Sequence, residues 1–403
     1  MNAPNSQRPE KSLSSSPIST TVAPGSEATV REIAQQPEVW RQVSADAAEL
    51  RGAVAGFIGP LLARADLRVI LTGAGTSSFV GQIAAPALAQ ALNRRVEALA
   101  TTDIVSNPQA QLAEDVPTLL VSVARSGRSP ESVAATRLAD ECLSEVRHLV
   151  VTCDPTGDLY QEHQRRDGSM VVLMPARAND EGFAMTSSFS SMLLSCLLIL
   201  GPGDQSAVEA LVGAAEKILA TWQERIGVLA QRGYERVVYL GSGALTGLAR
   251  ESALKMLELT AGKIVTYHDS ALGFRHGPKA VIDDHTLVVV YISSDPYTRQ
   301  YDLDIVAELR AGSNPDSVIA VAAEPISPAL GDAWVLGGVA GVGDSLLAAG
   351  YVVVAQLLGL SFALHAGTTP DNPFPAGDVN RVVKGVTIHP LPVIVEASTK
   401  AKR

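Results

Sequence analysis

Apolar residues along the chain follow two periods that alternate. Between residues 40 and 61 they recur every three or four positions, as in Trp40, Val43 and Ala47, which predicts an amphipathic helix. Short apolar runs typical of buried strands follow, with helical stretches between most of them. These runs predict strands at 68–72, 117–123, 147–152, 170–174, 235–240, 263–267, 286–291 and 317–321. Such alternation indicates an α/β fold of parallel sheets with helices on both faces.

The predicted strands form two sets that repeat each other at an offset of 168 residues. Residues 68–75 (Arg-Val-Ile-Leu-Thr-Gly-Ala-Gly) parallel residues 236–243 (Arg-Val-Val-Tyr-Leu-Gly-Ser-Gly). Residues 118–121 parallel residues 286–289 at the same offset. We therefore expect two tandem copies of one unit, each a doubly wound parallel sheet flanked by helices.

Four segments are predicted along the chain. Residues 1–29, rich in Ser, Pro, Thr and Asn, predict a flexible tail. The first unit, with its N-terminal helix, covers residues 30–204, and the second covers residues 205–376. For residues 377–403, a solvated terminal segment and a segment that folds back on the site both remain open.

Composition narrows the function classes. Of 403 residues, 46% are hydrophobic, which is enough for a packed core. The net charge of −10 argues against nucleic-acid binding, which needs a cationic surface. Three cysteines without a CxxC spacing predict no disulfide framework or zinc site and favour a cytoplasmic setting. We expect no secretory signal and no membrane span, since the longest apolar run covers only residues 192–200.

Two hydroxyl-rich turns follow predicted strands of the first copy. Glycines let a ligand approach the backbone closely, and a helix start favours an anion. Because carboxyl ends of parallel strands share one edge, the turns could hold one phosphate jointly. Capped helix starts are the structural alternative. The candidate binding residues are Gly75, Thr76, Ser77, Arg125, Ser126, Gly127 and Ser129.

A phosphate site in the second copy and a dinucleotide site are two alternatives to this interpretation. Asp295 in the corresponding second loop disfavours an anion, so the phosphate is expected in the first copy. Gly73 and Gly75 lack the third glycine of a dinucleotide motif, because Ser78 occupies its position. Arg94 and Arg95 stand where a ribose-binding acid would be expected, which leaves NADP as an open alternative.

A later helix carries Glu251, Lys255 and Glu258 on one face, since seven residues make two turns. A salt-bridged surface helix is the structural alternative. Shortly after it, His276 precedes Gly-Pro in a sharp turn, and histidine can transfer protons near neutral pH. The other histidines show no metal-ligand spacing, so no metal is expected.

These residues together resemble sugar isomerase (SIS) domains, which bind phosphosugars. The helix Glu251-Ser-Ala-Leu-Lys-x-x-Glu258 and the turn Arg275-His-Gly-Pro278 are similar to the isomerase half of glucosamine-6-phosphate synthase. Lys384 matches the C-terminal active-site lysine of that enzyme. In contrast, Ala124 stands where the synthase has a serine, and its glutamine-hydrolysing domain has no counterpart in this sequence.

A closer resemblance is to the galactosamine-6-phosphate deaminase family, also labelled tagatose-6-phosphate ketose/aldose isomerases. It covers about residues 30 to 390. The strings that carry it are 124–132, 182–188 (with Ser187 as a further candidate binding residue), 273–279 and 296–304.

The resemblance implies conversion of D-galactosamine 6-phosphate and water to D-tagatose 6-phosphate and ammonia. It implies ring opening by His276, transfer of the C2 proton to C1 by Glu258, and stabilisation of a developing oxyanion by Lys384. Glu251 is a further catalytic candidate. No cofactor is expected. A homodimer or a higher homo-oligomer with shared active sites is expected. A ketose/aldose isomerase without deamination and a non-catalytic sugar-phosphate sensor remain alternatives.

Overall fold

The computed structural model describes residues 22–383 and 385–392, in which helices alternate with strands. The strands are β1 (Arg68–Gly73), β2 (Arg95–Ala100), β3 (Thr118–Ala124), β4 (Val146–Thr152), β5 (Ser169–Leu173), β6 (Arg236–Gly241), β7 (Val265–Asp269), β8 (Thr286–Tyr291), β9 (Val318–Ala322) and β10 (Ala333–Val335). The helices are α1 (Glu27–Ala34), α2 (Gln36–Leu62), α3 (Thr76–Leu92), α4 (Thr101–Ser106), α5 (Pro108–Gln111), α6 (Pro130–Cys142), α7 (Asp158–His163), α8 (Ser187–Leu200), α9 (Gln205–Thr221), α10 (Gln223–Ala230), α11 (Ala244–Leu259), α12 (Thr298–Gly312) and α13 (Asp344–His365).

The strands form two parallel sheets of the same topology. Their orders are β2-β1-β3-β4-β5 and β7-β6-β8-β9-β10. This confirms the α/β fold of two doubly wound units. In each sheet the second strand along the chain lies on one side of the first strand, and the third lies on the other side. The strand order therefore reverses at a topological switch point, between β1 and β3 in one sheet and between β6 and β8 in the other. Open α/β sheets bind ligands at the carboxyl ends of the strands that flank such a point.

The repeat is visible in backbone conformation as well as in sequence. Strands β1 and β6 begin and end at an offset of 168 residues. The glycines before α3 and α11, Gly75 and Gly243, have φ of 55° and 57°, in the left-handed region that a side chain disfavours. Both copies therefore make the same strand-to-helix turn.

The structure contains elements that the apolar pattern did not predict. Strand β2 is an edge strand whose residues are half-buried or exposed, and β10 is an edge strand of three residues, so neither carries a continuous apolar run. Helix α1 begins at Glu27, within the segment predicted to be a flexible tail. The expectation that residues 192–200 form the longest apolar run was wrong, because helix α13 has a window of mean hydropathy 2.0 that is long and apolar enough to cross a membrane. Of that window, 89% is buried inside the protein. Burial of this kind is typical of a core helix.

One apolar core joins the two sheets. Side chains from β1, β3, β6 and β8 lie in a single cluster with α8 and α13. Helices α3 and α11 pack on each other so closely that a Cβ on Gly247 would lie 2.9 Å from Cγ1 of Ile83. This close approach brings the first strand-to-helix turn of one copy next to the carboxylate-bearing helix of the other.

Candidate functional site

Both hydroxyl-rich turns lie beside the switch point of the first sheet, as predicted. Thr76 and Ser77 are buried at the N-terminus of α3. Gly127 adopts a φ of 61° in the second turn, where a Cβ would lie 3.2 Å from Cβ of Leu159. Ser129 is the N-cap of α6, and its Oγ accepts a hydrogen bond from the amide of Ser132 at 3.3 Å. The capped helix start is therefore present, and the turn stays a candidate for binding an anion.

Lys255 connects the first copy to the second. Its Nζ donates to Oγ1 of Thr76 at 3.0 Å and to Oε2 of Glu258 at 2.5 Å. It also lies 3.6 Å from Oε1 of Glu251. Glu251 and Lys255 are completely buried, so this is not a salt-bridged surface helix, while 24% of the Glu258 side chain is exposed. Sequence reasoning did not select Lys255; its spacing between the two glutamates was the available signal.

The cluster has one accessible carboxylate and one sealed carboxylate. Burial raises the pKa of Glu251 to about 8, and the charge of Glu258 opposes its ionisation further, although Lys255 acts in the other direction. Burial by itself would lower the pKa of Lys255, but the two glutamates outweigh it and the net pKa is raised. The lysine is therefore a stable cation beside Glu258, the one member of the trio that a substrate could reach.

Arg125 is the buried cation of the second turn. Its guanidinium donates to the carbonyl oxygens of Arg381 at 3.1 Å and of Phe183 at 3.5 Å. Burial lowers its pKa, and the nearby Arg381 adds to this effect. Among the described residues no carboxylate lies within 4.0 Å of it. A buried guanidinium held only by carbonyls is a favourable partner for a ligand anion.

Arg128, on the same turn, has a different environment. It is half-exposed, lies 3.0 Å from Oδ2 of Asp154, and hydrogen-bonds to Thr156. Because its charge already has a partner, Arg128 is the less suitable of the two for an anion. This distinction could not be made from the sequence.

The corresponding turn of the second copy is filled by the protein's own carboxylates. Asp344 accepts from the amide of Ser294 at 2.7 Å and from its hydroxyl at 2.8 Å, and Asp302 accepts from the amide of Ser293 at 2.9 Å. Asp295, the residue expected to repel an anion, accepts from the amide of Thr298 at the start of α12. Asp302 and Asp344 therefore add a reason, beyond the predicted one, for an anion to be disfavoured there.

Ser187 has an internal role. Its Oγ donates to the carbonyl of Glu32 and accepts from Gln35, both at 2.8 Å, and the residue is completely buried. Neighbouring Asp180, which sequence reasoning did not select, accepts hydrogen bonds from the amides of residues 186–188 and caps α8. These contacts leave Ser187 no exposed surface for a substrate.

The two remaining predicted catalytic residues are His276 and Lys384. His276 is exposed after β7, and its imidazole makes no hydrogen bond or ion pair to any described residue. Lys384 lies outside the described residues. The segment before it does approach the site, since the Arg381 carbonyl contacts Arg125. No group of three or more His, Cys, Asp or Glu side chains in the described part of the chain could hold a metal ion.

Comparison with known proteins gives a consistent family. Residues 61–200 and 230–366 each match the model of the SIS domain. A relative from Streptomyces coelicolor, named putative D-galactosamine-6-phosphate deaminase AgaS, is 57% identical over 90% of this chain and 95% of its own length. The D-galactosamine-6-phosphate deaminase AgaS of Escherichia coli is 47% identical over the same shares.

A solved structure has the same fold over almost the whole chain. It is the crystal structure of tagatose-6-phosphate ketose/aldose isomerase from Escherichia coli, with a TM-score of 0.83 and 45% identity. The alignment covers 90% of this chain and 96% of that one.

Proposed function

Since this chain belongs to the AgaS family of SIS-domain proteins, we propose that it is an enzyme that converts D-galactosamine 6-phosphate and water to D-tagatose 6-phosphate and ammonia. The observation that carries the proposal is the contact of Lys255 with both Thr76 and Glu258. It joins a turn suited to a phosphate to a carboxylate suited to proton transfer. The substrate would span from one to the other.

The phosphate would be bound by the two turns of the first copy. Thr76, Ser77, Ser126 and Ser129 supply hydroxyls, Gly75 and Gly127 let the backbone approach, and Arg125 supplies charge. Helix N-termini favour an anion, and the buried guanidinium has no carboxylate partner in the described chain. Because the phosphate is remote from C1 and C2, its binding positions the sugar without taking part in bond changes.

Glu258 would act as the base. In the open-chain substrate it removes the proton from C2 and returns it at C1, while one amine proton is lost and the C1 oxygen gains a proton. The aldehyde and amine thereby become a hydroxyl at C1 and an imine at C2. Water then adds to the imine carbon, the C–N bond breaks, and ammonia leaves the ketose phosphate. Lys255 would orient Glu258 through its hydrogen bond, and buried Glu251 would hold Lys255 in place.

His276 and Lys384 complete the proposed site. Ring opening needs a group that transfers a proton, and His276 is exposed and available to a neighbouring subunit. We accordingly propose a homo-oligomer in which His276 serves the partner's site. For Lys384, stabilisation of a developing oxyanion remains the proposal. The acidic chain is proposed to bind no nucleic acid, and its free cysteines fit a cytoplasmic setting.

The function is tested by incubating the protein with D-galactosamine 6-phosphate and measuring released ammonia and tagatose 6-phosphate together. Equal amounts of both products are expected. Glucosamine 6-phosphate and the N-acetylated sugar serve as substrate controls, and Glu258→Gln as the enzyme control.

Other outcomes identify the alternatives. Interconversion of tagatose 6-phosphate with its aldose, without ammonia from the amino sugar, would indicate the isomerase that lacks deamination. Sugar-phosphate binding with no turnover of either substrate would indicate a sensor. Binding of NADP would favour the dinucleotide-site alternative.

A further inference from the structure

A layer of buried polar atoms lies in the first copy and belongs to no contact described so far. Its members, Oγ1 of Thr72, Oγ1 of Thr101, Oγ of Ser122 and Oε2 of Glu131, are each sealed from solvent. None has a hydrogen-bond partner among residues 22–383 and 385–392. A buried polar group without a partner costs about 1–3 kcal/mol, so four of them together require an explanation.

Strands β1 and β3 and helices α4 and α6 place these four atoms at a similar height along the strand direction. The apolar cluster beneath contains Ile70, Leu120, Ile104 and Ala135, from β1, β3, α4 and α6. Thr72 and Ser122 follow the two strand members by two residues, which keeps them on the same face of the sheet. Thr101 and Glu131 precede the two helix members by about one turn. Each of the four polar residues is therefore closer to the carboxyl edge of the sheet than the apolar residue from which it is counted.

Strand register supports the shared level. Thr72 and Ser122 are direct partners in the pairing of β1 with β3. Helices α4 and α6, which carry Thr101 and Glu131, pack against each other over this face. The four oxygens thus lie on one face of the first sheet, near its carboxyl edge and beneath the two candidate phosphate-binding turns.

The second copy is an internal control. At the 168-residue offset, Leu240 and Val290 replace Thr72 and Ser122, and both are fully buried in an apolar cluster. The fold itself therefore does not need hydroxyls at these positions. The two strand hydroxyls of the layer thus occur only in the copy whose turns are suited to an anion.

We propose that this oxygen layer binds one monovalent alkali cation, Na⁺ or K⁺. Three hydroxyl oxygens and one carboxylate oxygen form an all-oxygen ligand set, which hard cations prefer. No cationic side chain lies within 4.0 Å of Glu131 in the described part of the chain, so one positive charge would balance its single negative charge. A bound cation also satisfies the four orphaned atoms at once.

The position gives the ion a consequence for the neighbouring site. Thr72 directly precedes Gly73 in the first turn, and Ser122 lies two residues before Ala124 in the second. A cation held there fixes the ends of β1 and β3 relative to each other. Its charge also adds to the positive potential that favours an anion above it.

The test compares unfolding midpoints of the full chain in choline chloride and in equal concentrations of NaCl or KCl, in a buffer free of alkali metals. At 100 mM salt one alkali ion should raise the midpoint by on the order of 2 °C. Glu131→Gln and Thr72→Val should abolish the difference. Glu141→Gln, an exposed position at the other end of α6, should retain it.

Crystals of the unsubstituted protein soaked in a rubidium or thallium salt give an independent readout. An anomalous peak among the four oxygens is the expected result. An ordered water there, with equal midpoints in choline and alkali salts, would overturn the proposal. So would an alkali response that Glu131→Gln retains in full, because the ion would then lie elsewhere.

Discussion

At the scale of single residues, burial separates groups that sequence alone treats alike. Arg125 and Arg128 flank the same glycine, yet one is 6% exposed and held by carbonyls while the other is half-exposed and paired with Asp154. Desolvating a charge without a counter-ion is unfavourable. An arginine in that position is best explained by an anion that arrives with the substrate.

Arg125→Gln is expected to raise KM for the sugar phosphate by roughly 10- to 100-fold, the value of a hydrogen bond to a charged group. The effect on kcat should be smaller, because the phosphate is remote from the reacting carbons. Steady-state kinetics on folded protein provide the measurement. Arg128→Gln is the matched control, with KM within about twofold of the parent. Equal losses in both variants would contradict the assignment of Arg125.

Glu258→Gln is expected to lower kcat by about 10²- to 10⁴-fold, because the amide cannot accept the C2 proton. KM should change little, since the phosphate turns are untouched. Glu235→Gln, at an exposed position of the same copy, is the control and should keep full activity. Exchange of the C2 proton with deuterated solvent, followed by NMR, isolates the step. Unchanged exchange in Glu258→Gln would assign the base to another residue.

At the scale of elements, helix α1 holds a loop that contacts Arg125. Glu32 on α1 accepts from the amides of Glu181 at 2.6 Å and Gly182 at 3.2 Å. The same loop carries Phe183, whose carbonyl contacts Arg125. Burial, assisted by the charge of Asp180, raises the pKa of Glu32 to about 7. The loop is therefore fastened by a carboxyl group that ionises near neutral pH.

This shift predicts how stability depends on pH. Between the ordinary pKa of 4.5 and the folded pKa of about 7, the folded state binds more protons at Glu32 than the unfolded state does. Its contribution to the free energy of unfolding is therefore greatest below 4.5 and decreases as pH rises through 7. As pH rises, the free energy of unfolding of Glu32→Gln should therefore increase relative to that of the parent protein. Urea denaturation at pH 5, 6 and 8 provides the measurement.

Glu49→Gln is the control for that series, because Glu49 is exposed on α2. Its stability difference from the parent should be the same at each pH. If the stability difference of Glu32→Gln were also the same at each pH, Glu32 would have its ordinary pKa in the folded protein.

At the scale of the whole molecule, the two copies of one unit contribute different parts of the proposed site. No carboxylate lies within 4.0 Å of Arg125 in the described part of the first copy, whereas Asp302 and Asp344 occupy the corresponding turn of the second. The second copy instead supplies the helix that carries Glu258. Close packing of α3 on α11, with Lys255 bonded to Thr76, fixes the two contributions relative to each other.

The proposed oligomer predicts complementation between inactive variants. Glu258→Gln and His276→Asn should each be nearly inactive alone. Denatured and refolded together in equal amounts, they should recover about a quarter of parental activity, because half the dimers are mixed and each has one intact site. Ammonia release after co-refolding is the measurement. No recovery, in a mixture shown to contain mixed dimers, would mean that His276 serves its own chain.

The sequence by itself determined the fold class, the repeat and the two turns. Apolar runs and glycine positions depend on local backbone geometry and burial, which a linear pattern records. It could not predict β2, whose apolar residues are interrupted by Arg95 and Glu97, or β10, which has only three residues. Nor could it predict the role of Lys255, which depends on contact with Thr76 of the other copy.

Tertiary structure alone decided which polar side chains are engaged by partners within the protein and which remain available to a ligand. Ser187 and Ser126 are the same residue type, but only the packing of α8 against α1 gives Ser187 internal partners. Likewise only folding makes Arg125 a buried charge and Glu251 a sealed acid. Burial and counter-ions are set by residues far apart in the chain, so no local pattern can encode them.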